Sequence, residues 1–160
     1  MDMEEEADLI FASLPKQERM PAMKRGLASE SAYLKDHCTP DMGFPKVRET
    51  MEALSKRYRL FIVSSSQQGY PERCMQTLGL TPYFQGHLCY GDTGTSKGQT
   101  ILTLMKQHKI ESCAYVGDTQ GDYEATLEAG VPFIWAAYGF GKPEGYTEKI
   151  DSPDALLTLE

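Results

Sequence analysis

The 160-residue sequence predicts an α/β fold built on a doubly wound parallel sheet. Three observations carry that expectation. Continuous apolar runs such as Leu60-Phe61-Ile62-Val63 are typical of strands buried on both faces. Stretches of helical periodicity alternate with those runs and are closed by Gly79 and Gly130. Polar residues gather where the strands end, which in an open α/β sheet is the crevice where ligands bind.

In chain order, residues 5–36 form one or two helices, with Leu9, Ile10, Leu14, Met20, Met23 and Leu27 at helical intervals and Pro15 and Pro21 as punctuation. The run Thr39-Pro40-Asp41-Met42-Gly43-Phe44-Pro45 is dense in chain breakers and puts a domain boundary near residue 44. A helix from Lys46 to Arg57 presents Val47, Met51 and Leu54 on one face and leads to the strand Leu60–Val63. A helix from Pro71 to Leu78, a strand over Gly86–Tyr90 and a helix over Gly98–His108 follow. The next strand ends at Asp118, and a helix from Asp122 to Ala129 comes after it. Val131–Ala137 is a further strand, which the early Pro132 places toward the edge of the sheet, and Pro153–Leu159 is the last helix. No internal repeat is visible.

Composition narrows the function classes. A formal charge of −7 and a pI near 5.0 argue against general nucleic-acid binding, which needs clustered Lys and Arg. No apolar run is long enough to cross a bilayer, and the acidic start Met1-Asp2-Met3-Glu4-Glu5-Glu6 is the opposite of a basic signal peptide. A cytoplasmic protein without nucleic-acid or membrane partners is expected, its ligand small and metal-bridged. Cys38, Cys74, Cys89 and Cys113 have no metal-type spacing and are expected to be reduced thiols.

Three loops carry the candidate site: Ser64-Ser65-Ser66 after the first strand, Lys97 before a helix, and Asp118 with Asp122 after Val116-Gly117. Gly117 permits a tight exit from the strand, so that the two carboxylates face one point and suit Mg²⁺. Each feature also has a plain reading. Ser64 suits a turn, Lys97 a solvated surface, and the acids a helix start favoured by the dipole. A hydroxyl, backbone N–H groups, a lysine and a metal site together are what a phosphoryl group in transfer requires.

These segments resemble motifs II, III and IV of the haloacid dehalogenase superfamily. Leu60-Phe61-Ile62-Val63-Ser64-Ser65 is similar to its strand ending in a phosphoryl-binding hydroxyl. Lys97 is similar to its charge-neutralising lysine, and Gly117-Asp118-Thr119-Gln120-Gly121-Asp122 to its Mg²⁺-binding G-D-x-x-x-D element. Glu124-Ala125, Ala129-Gly130-Val131-Pro132 and Tyr138-Gly139-Phe140-Gly141 resemble the phosphoglycolate-phosphatase-like branch. The resemblance spans about residues 44–160. It implies a three-layer sandwich, a Mg²⁺-dependent phosphatase acting on a small phosphorylated metabolite, substrate contacts from Ser64, Ser65 and Lys97, and metal contacts from Asp118 and Asp122.

One departure weighs against all of these matches. The family's first motif, D-x-D, supplies its nucleophile and its general acid/base, yet none of the nine aspartates here forms an Asp-x-Asp pair. The first strand is expected to be missing, residues 1–44 to be a partial helical cap, and residues 45–160 the core. Without that strand, the strands ending at Ser64 and Asp118 are expected to pair directly or to be completed by self-association. The enzyme reading competes with that of a non-catalytic remnant binding Mg²⁺, phosphate or a protein partner. A P-loop is excluded because Lys97 is followed by Gly98 instead of Ser or Thr, and a receiver domain because its acids precede its lysine.

Overall fold

The computed structural model describes residues 3–159, so Met1 and Asp2 of the acidic start lie outside the described residues. The chain divides into two compact units at residues 39/40. The first is a pair of packed helices, α1 (Met3–Ile10) and α2 (Lys16–His37), with Ala7, Ala22 and Met23 buried. Arg19 ties their connection together, its guanidinium donating to the Leu14 and Ala12 carbonyls and pairing with Asp8 at 3.2 Å. Pro15 precedes α2, while Pro21 sits inside it at the end of the second turn, giving up one backbone hydrogen bond.

The second unit is the α/β body, with parallel strands and intervening helices as the sequence predicts. It runs α3 (Val47–Ser55), β1 (Leu60–Ser64), α4 (Tyr70–Thr77), β2 (Phe84–Cys89), α5 (Tyr90–Thr93), α6 (Lys97–Gln107), β3 (Tyr115–Gly117), α7 (Gln120–Ala129), β4 (Phe133–Ala136) and β5 (Glu148–Ile150). A 3₁₀ segment over Pro153–Thr158 closes it. Helix α6 packs on β1 and β2, α7 on β3 and β4, and the two helices lie against each other. On them rests much of the core: Ile101, Leu104, Ala125 and Thr126, with Phe133 and Ala136 of β4 and Ile150 of β5.

Four expectations need correction. The strands fall into two hydrogen-bonded groups, β1-β2 and β3-β4-β5, so β1 and β3 do not pair directly. In place of a ladder, the Tyr115 hydroxyl of β3 donates to the Val63 carbonyl of β1 at 2.9 Å. The strands at this junction are also poorly covered. No residue of β1 or β3 is buried, and Val116 is 39% exposed. Second, β4 is the central strand of its group, not an edge. Pro132 lies one residue before it and spends only its carbonyl, which accepts the Tyr115 N–H at 2.9 Å. Third, Glu148–Ile150, to which the sequence assigns no element, forms β5, and Tyr90, expected to end the strand before it, opens the short helix α5; both elements are too short for periodicity to register. Fourth, the expected terminal α-helix is the 3₁₀ segment.

Candidate active site

Ser64 ends β1, Asp118 follows β3, Asp122 lies in the first turn of α7 and Lys97 opens α6 after the short α5, and the four loops involved are stitched together. After β1 the chain turns at once, with the Ser64 hydroxyl accepting the Ser66 N–H at 3.2 Å. The Ser66 carbonyl in turn accepts the Gly91 N–H from the loop after β2 at 3.1 Å. Ser65 is exposed, and the Ser66 hydroxyl is buried with no hydrogen-bond partner among the described residues. In the second loop Asp92 caps α5, its Oδ2 accepting the Cys89 N–H and the Cys89 thiol. Burial and that carboxylate push the Cys89 thiol up to about 11, so it stays protonated. The four cysteines are free.

Lys97 opens α6. Ser96 caps the helix by accepting the Gln99 N–H, and Glu128 of α7 fastens the same turn, accepting from the Ser96 hydroxyl at 2.8 Å and the Gln99 amide at 2.7 Å. Held in this way, the Lys97 ammonium meets Asp122 Oδ1 at 2.6 Å, the two side chains 19% and 6% exposed.

Asp122 is the N3 residue of α7 and half of a capping box with Thr119. Its Oδ2 accepts the Asp118 N–H, the Thr119 N–H and the Thr119 hydroxyl, while Oδ1 takes Lys97 and lies 3.4 Å from the Tyr115 hydroxyl. Burial works against its charge. The Lys97 ammonium and the Thr119 donors outweigh that and hold the carboxyl below the usual carboxylate range. Burial beside Asp122 pushes the Tyr115 phenol strongly upward, so the hydroxyl remains a donor. Gly117 has a different reason from the one expected. A β-carbon there would lie 2.7 Å from that of Asp122, so the glycine makes room for the buried acid.

Asp118 contrasts with Asp122. Its Oδ2 accepts the Phe140 N–H at 2.7 Å, and its Oδ1 has no hydrogen-bond partner among the described residues. Asp118 and Asp122 are therefore not an equivalent pair. One has an oxygen to offer a ligand; the other has both oxygens committed. Among the described residues no group of three or more His, Cys, Asp or Glu is arranged to hold a metal ion. The acids fit Mg²⁺ only in part, as a single free carboxylate oxygen, though Mg²⁺ is often held by one or two carboxylates with water and phosphate.

The structure thus brings Lys97 and Asp122 into direct contact. Through Tyr115, it links them to the carbonyl preceding Ser64. Sequence reasoning assigned no site role to Tyr115 or Thr119, and it noted the Tyr138–Gly141 loop for its family resemblance without placing it at the site. Thr119 three residues before Asp122 is a legible capping signal, whereas the contacts of Tyr115 and Phe140 cross between distant loops and leave no local trace.

Strand-helix alternation with a hydroxyl, a lysine and acids gathered near strand ends defines an α/β fold of the doubly wound class. Residues 3–136 match the haloacid dehalogenase-like hydrolase family, and the chain belongs to that family. It is 30% identical, over 69% of its length, to the phosphoglycolate phosphatase of Aquifex aeolicus, and it spans 54% of the length of that curated relative. Among solved structures it superposes on a haloacid dehalogenase-like hydrolase from Streptococcus pneumoniae with a TM-score of 0.80 at 19% identity, covering 95% of this chain and 74% of that one. A predicted phosphatase from Clostridium acetobutylicum gives 0.80 at 16%, with 98% and 76% covered. At such identities the likeness concerns the fold. Among the described residues no helix is long and apolar enough to cross a membrane.

Proposed function

We propose that this chain carries the phosphoryl-binding half of a Mg²⁺-dependent phosphatase for small phosphomonoesters, of the phosphoglycolate-phosphatase-like kind. The observation that supports it most is the buried Lys97–Asp122 pair, set one hydroxyl away from the β1 terminus that leads into Ser64. A lysine held by a carboxylate with no spare oxygen is fixed in place and keeps ammonium protons for a further acceptor. In this reading Ser64, Ser65 and backbone N–H groups of their loop hydrogen-bond phosphoryl oxygens, and Lys97 neutralises their charge. Asp118 would be the residue to hold the metal, through the Oδ1 that the Phe140 N–H leaves open. Asp122 completes the acidic side from behind, by holding Lys97 and the Asp118 N–H. Bound Mg²⁺ would supply charge neutralisation at the phosphoryl oxygens.

None of these groups is a nucleophile for an aspartyl-phosphate route, and Asp92 is spent on its cap. The 160 residues by themselves are therefore expected to bind the phosphoryl group without hydrolysing it. Residues 1–44 are proposed as part of a cap. A ³¹P NMR titration of orthophosphate checks the reading: Mg²⁺-dependent broadening is expected with this chain and is lost in Lys97→Ala. Equal broadening in both proteins would rule the site out.

A further inference from the structure

Asp118 presents one free oxygen, and the structure shows what leaves it in that state. We propose that the Tyr138–Glu144 segment between β4 and β5 is a positioning clamp that fixes the Asp118 side chain with Oδ1 turned toward a cation. The inference rests on the metal reading of Asp118 given above.

Three contacts carry it. The Phe140 N–H donates to Asp118 Oδ2 at 2.7 Å. A β-carbon at Gly139 would stand 2.4 Å from Asp118 Cβ and 2.5 Å from Oδ2, and one at Gly141 would stand 2.5 Å from the Asp118 carbonyl oxygen. The loop thus lies flat against the side chain and the backbone of this one residue, at a distance only glycine allows on either side of the donating amide. Its flanks are tied down as well. The Gly139 N–H donates to the Ala136 carbonyl at 3.0 Å, and the Glu144 N–H to Gln120 Oε1 at 2.9 Å. The Phe140 side chain is 96% exposed, so what this residue gives the loop is its backbone N–H.

The consequence is chemical. A carboxylate with one oxygen held by an N–H cannot rotate freely, so a cation arriving at Oδ1 has little side-chain freedom left to remove. Groups that hydrogen-bond a ligating carboxylate commonly matter by about 10- to 100-fold in metal affinity. The clamp also favours binding through one oxygen over chelation by both.

Two measurements on the full chain test the proposal. Amide hydrogen exchange by NMR reads the clamp without any metal: the Phe140 N–H should be protected, and Asp118→Ala should speed its exchange at least about tenfold. An unprotected Phe140 amide in the unsubstituted chain would overturn the proposal. Mn²⁺ binding by electron paramagnetic resonance reads the consequence. Gly139→Ala should weaken it about 10- to 100-fold. Gly26→Ala, whose added β-carbon meets nothing within 4 Å, should leave it unchanged. Equal affinity in a folded Gly139→Ala protein would also overturn it, and Gly141→Ala repeats the test from the other side. If Asp118→Asn leaves Mn²⁺ binding intact while Phe140 is protected, the clamp stands and the metal reading falls.

Discussion

Lys97 and Asp122 are the residues on which stability and the site meet. Removing one member of such a buried pair strands the other charge, so Asp122→Asn should cost about 3 kcal/mol in denaturant unfolding. Lys97→Met should cost less, because Asp122 keeps its three Oδ2 donors around Thr119 and Asp118. The pH dependence follows from the direction of the shift. A carboxyl depressed in the folded state stabilises fully above its unfolded pKa of about 3.9, and that contribution is lost as pH falls from there toward the folded value. Wild type should therefore lose stability below about pH 4, and Asp122→Asn should flatten that part of the curve. Only the backbone N–H of Asp118 joins the network, so Asp118→Asn should change stability by less than about 1 kcal/mol while abolishing Mg²⁺ binding in calorimetric titration. At this scale the spacing of Lys97, Asp118 and Asp122 was legible. Their division of labour was not, because it depends on Tyr115 and on the Phe140 N–H, which local pattern cannot bring to them.

Among the elements, β1 and β3 behave least like the strands of a continuous sheet. They share a phenol bridge instead of a ladder, and none of their residues is buried. Tyr115→Phe removes the bridge with little change of shape. It should cost about 1–3 kcal/mol, since the Val63 carbonyl loses its donor, and should speed amide exchange in β1 more than in β4. The strand and helix order was readable because apolar runs and glycine stops are local signals. Pairing was not, since it depends on which edges meet. Pro132 illustrates the limit: the missing N–H suggested an edge strand, but the residue falls just before β4 and costs the ladder nothing.

At the scale of the whole molecule, two helices form one unit and the α/β body another, and the chain spans 54% of the length of its curated relative. The α6–α7 contact, with each helix covering a different strand group, holds the body together across the β1/β3 junction. β1 and β3 each end a hydrogen-bonded group, and an open strand edge is a template for a further strand. Sedimentation velocity over a range of concentrations should show self-association if copies supply it. The most direct test of the site is hydrolysis of an aryl phosphate with Mg²⁺, comparing this chain with one extended upstream by an apolar strand ending in Asp-x-Asp. The extended protein should turn over, Lys97→Ala or Asp118→Asn should reduce its rate by at least about 10²-fold, and the 160-residue chain should be inactive. Activity in the 160-residue chain that survives both substitutions would contradict the account.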